Sequence, residues 1–284
     1  MTIKKKFLMA VSKDASHQYG VRFLSYFFQN KDDIQVDILN ISHHGIKSGY
    51  YSAKQSKASS QQSQDFLQEV RQKMMDFGFP DQNIQMETRQ GSVSTASDIL
   101  ATGRKGMYDA LILGRRGLTL LESLIQDSVS GKILDEQCDI PVWICREPER
   151  RKKHLLLCTD GSEESLNAAD HAGFILESAP ENNITVLYVR PPDSRGNEQK
   201  ILYTTVARLT DNNIAGERIS TLVLEGKNAA RLILDHARDN SFAAIAMGRK
   251  CRQESRKGLS GFFVGSVSSV VLKNLEQASL WICK

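Results

Sequence analysis

The chain carries an internal duplication, and this repeat limits the folds that it can adopt. Residues 127–130, with the sequence DSVS, lead to the apolar run PVWIC at 141–145, and residues 265–268, GSVS, lead to SLWIC at 279–283. Each copy is a serine-rich turn, an amphipathic stretch and a short apolar run. In a chain of 284 residues, a repeat of this size predicts two similar units, each of ordinary domain length.

Apolar runs alternate with stretches of helical spacing along both halves. The runs cover 7–11, 36–41, 110–113 and 142–145 in the first half, and 155–159, 184–189, 219–224, 243–247 and 280–283 in the second. Helices are expected at 163–178 and 229–239, and the Ser-, Gln- and Lys-rich residues 45–64 are expected to form a loop that leads into a helix near Phe66. Strands that are apolar almost throughout are typical of a parallel sheet covered on both faces. The prediction is therefore an α/β chain of two tandem Rossmann-like domains, each a five-stranded parallel sheet with helices on both faces.

A charged segment separates the two units. Residues 147–153, EPERRKK, contain a proline and lie between the end of one repeat and the start of the next. We therefore expect domains at 1–146 and 154–284, with 147–153 as the linker.

Composition excludes several classes of protein. No run approaches the ~18 apolar residues that cross a bilayer, so no membrane span is expected. The net charge of +4 is modest, and a nucleic-acid binder would normally concentrate more Lys and Arg on one face. The five cysteines include no C-x-x-C pair, and Cys145, Cys158 and Cys283 lie in or beside apolar runs, which favours reduced thiols and a cytoplasmic location.

The second half places candidate ligand-binding residues at the ends of its strands. In an open parallel sheet, ligands lie beyond the carboxyl ends of the strands, where the strand order reverses. The residues at these positions are Asp160, Val189, Gly226, Gly248 and the helix-opening group Gly265, Ser266 and Val267. Glycines let backbone N–H groups approach phosphate oxygens, and a helix start offers unpaired donors. The Asp160 carboxylate can accept hydrogen bonds from a ribose or a base.

Together these residues resemble the universal stress protein family, whose adenine-nucleotide-binding members carry an early strand-end Asp and a G-x2-G-x9-G-[S/T] turn. The resemblance depends on CTDGSE at 158–163 with Gly226, and on Gly91, GRRG at 114–117 and VWIC at 142–145. It implies the adenine nucleotide alpha hydrolase-like form of the fold and a stress-response role. It also implies ATP or ADP as the ligand, with or without Mg²⁺.

The first half departs from the family pattern at two positions. Gly114 and Gly117 fit, but Asp127 stands where the third glycine is expected, and Ser12 replaces the early Asp. A carboxylate at that turn would repel phosphates. We therefore expect the first domain to bind no nucleotide and to be structural or regulatory.

The second half keeps Asp160 but has an enlarged, basic loop at 249–258. Gly258 takes the place of the second glycine, followed by Gly265 and Ser266. An alternative register uses Gly261, but Phe262 then follows and supplies no hydroxyl, so we prefer the first register. Asp160 and Ser266 can also be explained as helix N-caps alone, each worth about 1 kcal/mol.

Other sites and activities find less support in the sequence. There is no Walker A loop and no G-x-G-x-x-G after a strand, and no general base stands out, so any ATP hydrolysis is expected to be slow. His43 and His44 are adjacent and would point in opposite directions at a strand end, so no metal site is expected. Two alternatives stay open: a nucleotide-free scaffold whose basic loop binds a protein partner or another anion, and an enzyme of adenylyl or phosphoryl transfer.

The closing strands suggest how the halves meet. In the resembled family the last strand pairs between protomers, and Trp143 and Trp281 occupy matching positions on these strands. Because an exposed apolar edge strand is a liability, we expect the halves to pair as an internal pseudo-dimer with the Trp residues near the interface. The alternative is that each Trp fills only its own core. Association of the whole chain into a homodimer is left open.

Overall fold

The computed structural model describes residues 5–12, 18–42, 53–92, 94–114, 140–192, 194, 196–249 and 266–284, without the side chains of 53–59 and 266. The described strands are β1 (Lys5–Val11), β2 (Ile34–Ser42), β3 (Ile84–Gln90), β4 (Ala110–Leu113), β5 (Val142–Cys145), β6 (His154–Thr159), β7 (Ile184–Arg190), β8 (Ile219–Glu225), β9 (Phe242–Gly248) and β10 (Ser279–Cys283). The described helices are α1 (Gln18–Phe27), α2 (Ala53–Asp76), α3 (Thr95–Lys105), α4 (Glu163–Leu176), α5 (Glu198–Asp211), α6 (Ala229–Asp239) and α7 (Ser266–Asn274).

The described strands form one ten-stranded sheet in the order β3-β2-β1-β4-β5-β10-β9-β6-β7-β8. Neighbouring strands run parallel within each half, and the two halves join where β5 and β10 pair antiparallel. Side chains alternate between two buried cores, one under α1, α2, α4 and α5 and the other under α3, α6 and α7. The predicted α/β fold with two five-stranded parallel units is confirmed.

All nine predicted apolar runs lie within strands, but several other elements differ from the sequence prediction. The expected loop at 45–64 is wrong from residue 53, because α2 begins at Ala53. Its first turns are rich in Ala, Lys and Gln, which favour helix without any apolar stripe, and the buried side chains of Leu67, Val70 and Met74 hold its later turns against the sheet. No ranges for α1, α3 and α5 were predicted from the sequence. Nor was β3, which is a largely polar edge strand.

The two halves meet at a stacked pair of indole rings. Trp143 on β5 lies directly opposite Trp281 on β10, with ring centroids 3.9 Å apart and planes within 1° of parallel. Phe23 of α1 presents its ring edge-on to both indoles, at 6.1 and 6.4 Å. His171 of α4 does the same, at 5.8 and 6.0 Å. The four rings therefore fill the centre of the seam between the halves.

Phe23 and His171 flank the pair in matching ways but differ in hydrogen bonding. Trp143 Nε1 donates to His171 Nε2 at 3.0 Å, whereas Trp281 Nε1 is buried without a hydrogen-bond partner. A phenyl ring offers only a weak N–H···π contact, so Phe23 cannot replace an imidazole acceptor. Burial lowers the pKa of His171 to about 3, which keeps the ring neutral and able to accept.

A polar contact fixes the halves at a second place. The buried Lys5 Nζ lies 3.1 Å from Asp33 Oδ2, and Ser178 Oγ, from the second half, donates to the same carboxylate oxygen at 2.5 Å. Asn182 Nδ2 donates to Phe27 O at 3.2 Å across the same boundary. Because a buried charge is costly unless it is paired and hydrogen-bonded, these contacts specify how the halves fit together.

We predict that His171 makes the stability of the protein depend on pH. Its pKa is lower in the folded state than the unfolded value of about 6.5, so the unfolded chain binds more protons below that pH. The free energy of unfolding should fall by up to ~1.4 kcal/mol per pH unit as pH drops from about 6.5 toward 3. His171→Phe should cost about 1–3 kcal/mol at pH 7.5 by leaving Trp143 Nε1 unpaired, and this deficit should shrink with acidification.

Urea unfolding at pH 7.5, 6 and 5 measures both effects. Phe23→Leu is the matched control, since it alters the same cluster without removing a titratable group, and its difference from wild type should not change with pH. A His171→Phe deficit that stays constant across the three pH values would contradict the assignment.

Candidate functional site

A cavity of about 210 Å³ lies at the carboxyl ends of β6 and β9, where the strand order of the second half reverses. One part of its wall is polar and consists of Thr159, Asp160, Ser162, Ser165 and Ser268. The other part consists of Gly248 and the mostly apolar side chains of Cys158, Leu187, Val189, Ala229, Ile233, Met247 and Val267. The site therefore combines an apolar slot with a carboxylate and several hydroxyls.

The structure brings some of the predicted site residues together. Asp160, Val189, Gly248 and Val267 line the cavity. Gly226 follows β8, where its amide donates to Arg190 O at 3.0 Å, and it is not among the lining residues. Ser266 begins α7. The remaining positions named from the sequence lie outside the described residues: His43, His44, Gly117, Asp127, Gly258, Gly261, Phe262, Gly265 and the basic loop beyond Arg249.

Asp160 belongs to a tight turn between β6 and α4. Its Oδ1 accepts hydrogen bonds from the backbone N of Ser162 at 3.0 Å and from the Ser162 hydroxyl. Ser162 in turn caps α4 by accepting from Ser165 N. Gly161 between them has a φ of 79°, a left-handed conformation that favours glycine. The carboxylate thus supports the helix start and also forms part of the cavity wall.

Gly248 has a packing role that the sequence did not reveal. A Cβ atom added there would lie 2.3 Å from Glu164 C, 2.4 Å from Ser165 N and 2.5 Å from Glu164 O. The end of β9 therefore touches the backbone of the first turn of α4, and only a glycine fits. This contact brings the two sides of the cavity wall together.

The chemistry of the described wall is that of binding. Burial raises the pKa of the Cys158 thiol, so this residue packs as a small apolar group and not as a nucleophile. Among the residues with described placement, no group of three or more His, Cys, Asp or Glu side chains could hold a metal ion. Within the same part of the chain, no helix is long and apolar enough to cross a membrane.

Comparisons with known proteins agree with this fold. Residues 152–282 match the model of the Universal stress protein family. This segment belongs to that family. A universal stress protein from Archaeoglobus fulgidus DSM 4304 shares the fold, with a TM-score of 0.71 at 16% identity over 98% of both chains. A protein of unknown function from Pseudomonas aeruginosa PAO1 gives 0.55 at 16% identity, over 99% of this chain and 92% of that one. The comparison with curated proteins gave no match.

The place in the first half that matches the cavity is built differently. Ser94 caps α3 as Asn228 caps α6, so Asp98 in the first half takes the position of Leu232 in the second. The Asp98 carboxylate accepts from Ser92 N at 2.8 Å and from Ser92 Oγ at 2.5 Å. The backbone amide of Ser92, in the loop before α3, is therefore already hydrogen-bonded to a carboxylate.

Some residues of the cavity wall were not identified from the sequence. Ser165, Ala229, Ile233 and Ser268 lie one turn or less into their helices or on a helical face. The spacing of Ser162 and Ser165 is typical of a helix start, so it could have drawn attention to Ser165. Ala229 and Ile233 carry no such signal, because small and apolar residues are equally common in a core.

We predict that Gly248→Ala destabilises the protein by about 1–3 kcal/mol or more, the range for overpacking a tight interior. The added methyl must push apart β9 and the first turn of α4. Gly216→Ala is the matched control, since a Cβ at Gly216 meets nothing within 4 Å. Urea unfolding compares the two variants. Equal stabilities would show that the close contact at Gly248 relaxes without cost.

Proposed function

We propose that this is a cytoplasmic stress-response protein whose second domain, residues 154–284, binds ATP or ADP in the cavity between β6 and β9. Residues 147–153 link it to a first domain, 1–146, that is structural or regulatory. The observation that carries the proposal is the composition of the cavity wall at the strand-order reversal, where Asp160 faces the same space as an apolar slot and the first turn of α7.

Each part of the wall suits one part of an adenine nucleotide. The flat base fits the apolar side chains of Leu187, Val189 and Ile233, and Asp160 is placed to accept hydrogen bonds from ribose hydroxyls or the base. The start of α7, with Ser266 and Val267, offers backbone donors and a favourable dipole to phosphates. Magnesium would arrive bound to the phosphates, as it usually keeps several waters and few protein ligands.

The asymmetry between the halves supports a single working site. In the first half Ser12 stands at the end of β1 where the second half has Asp160, and Asp98 uses the amide of the loop before α3. A carboxylate at this helix start adds negative charge to the matching region of the first half, which disfavours an anionic ligand. In the second half the matching position is Leu232, which carries no charge.

Two further features fit the proposal. Cys145, Cys158 and Cys283 are free and buried, as expected of thiols in a reducing compartment, and burial raises the pKa of Cys145 to about 12, so its thiol stays protonated. The described wall holds one carboxylate and no imidazole, which favours binding over rapid hydrolysis.

Nucleotide release provides the test. We expect freshly purified protein to yield about one adenine nucleotide per chain on denaturation, identified by mass spectrometry, and to bind added ATP or ADP in calorimetry. Asp160→Asn keeps an oxygen that can accept from Ser162 N but removes the charge. Since hydrogen bonds to charged groups are worth about 1.5–3 kcal/mol, the variant should weaken binding by roughly ten- to a hundredfold.

Ser12→Ala is the matched control, because it changes the corresponding position of the first half. Binding that is weakened in Asp160→Asn and unchanged in Ser12→Ala supports a single site in the second domain. If wild type releases no nucleotide and titration with ATP and ADP gives no heat, the proposal fails, and a nucleotide-free scaffold becomes the better hypothesis.

A further inference from the structure

A cluster of three hydroxyls lies behind the Asp160 turn. Thr159, Ser165 and Thr205 are all buried, and Thr205 in α5 is fully so. We call them the hydroxyl cluster. Thr159 Oγ1 lies 3.2 Å from Ser165 Oγ and 3.0 Å from Thr205 Oγ1. Thr159 and Ser165 line the cavity, whereas Thr205 stands behind them.

Counting protons limits which way the bonds in the cluster can run. Ser165 Oγ donates to Ser162 O at 2.8 Å, and Thr205 Oγ1 donates to Ile201 O at 2.9 Å. A hydroxyl has one proton, so in this arrangement Thr159 alone retains a proton for the cluster. Its oxygen also accepts from Gly161 N at 3.3 Å. Thr159 can donate that proton to only one neighbour, and we take the shorter contact, 3.0 Å to Thr205 Oγ1 against 3.2 Å to Ser165 Oγ, as the bond that it makes. Thr205 then acts as an acceptor that α5 presents to the end of β6.

These bonds connect α5 to the turn that carries Asp160. Gly161 is held from one side by the Thr159 hydroxyl and from the other by Ile201 of α5, whose Cγ1 would lie only 2.9 Å from an added Cβ. Asp160 lies between the two anchored residues, Thr159 and Gly161. The direction of its carboxylate therefore depends on contacts made by α5.

The first half shows that the fold does not need the hydroxyl at this place. Gly114 and Gly248 occupy matching positions in the two halves. Leu113, just before Gly114, pairs with Ala10, and Met247, just before Gly248, pairs with Cys158. Val11 thus stands where the second half has Thr159, and Ser12 where it has Asp160. Buried hydroxyls are costly unless they are hydrogen-bonded, and valine avoids that cost. The anchoring hydroxyl accompanies the carboxylate in one half, and both are missing in the other.

We infer that Thr205 is a positioning residue for the nucleotide site: through the Thr159 hydroxyl it fixes the Asp160 turn in the orientation that binds ligand. The inference rests on the proposed function. Thr205 touches no ligand in this scheme and acts only through its neighbour.

Three substitutions separate the hydroxyl from its surroundings. Thr205→Val keeps the shape and removes the oxygen, and Thr205→Ser keeps the oxygen. Thr204→Val is the matched control, since exposed Thr204 makes the same kind of bond to a carbonyl four residues earlier, Lys200 O, at 2.9 Å. For a net hydrogen bond of about 1 kcal/mol, Thr205→Val should raise the Kd for ATP or ADP roughly fivefold, while the other two variants stay within about twofold.

Hydrogen exchange of the full-length protein without nucleotide gives a second readout. Amides of the segment 160–165 should exchange faster in Thr205→Val and at wild-type rates in Thr205→Ser and Thr204→Val. Affinity in Thr205→Val equal to wild type, or an equal loss in Thr205→Ser, would overturn the inference. If the wild-type protein binds no nucleotide, the proposed function is refuted, and the predicted effect on affinity fails with it. If exchange in Thr205→Val equals that of wild type, the positioning role is refuted, whether or not the protein binds nucleotide.

Discussion

The antiparallel pairing of β5 with β10 is the contact on which the rest of the structure depends. Every residue of the short strands β5 and β10 is buried. In an isolated half, its strand of this pair would be an exposed apolar edge, and such edges promote aggregation. Pairing the two strands covers both edges at once and stacks Trp143 on Trp281 at the centre of a continuous sheet. The polar contact of Lys5, Asp33 and Ser178 then fixes how the layers of the two halves meet.

One helix reaches from this seam to the candidate site. The first turn of α4 packs against Gly248 at the cavity, and His171, farther along the same helix, accepts the hydrogen bond of Trp143 from the other half. The helix is hydrogen-bonded along its length and buried on the side that faces the sheet. The geometry of the cavity wall and the geometry of the seam are therefore not independent.

Much of the fold could be predicted because its strands are apolar almost throughout. β3 escaped prediction because an edge strand needs only one apolar face, and the start of α2 escaped because Ser, Gln and Lys are common in loops and are tolerated on an exposed helix. At the site, the position of Asp160 at a strand end could be predicted from the order of the elements. The partnership of Thr159 with Thr205 could not, since the two residues are far apart in sequence and meet only through tertiary packing.

The unequal partners of the two indoles are possible because both units belong to one chain. In a symmetric dimer of identical subunits every contact occurs twice, so both indoles would face histidine or both would face phenylalanine. Joining the two units in one chain removes that restriction, and here one N–H is paired while its counterpart is not. A single substitution then changes one side of the seam, whereas in a homodimer it would change both sides. The same freedom allows one half to have a carboxylate at the end of its first strand where the other has a serine hydroxyl.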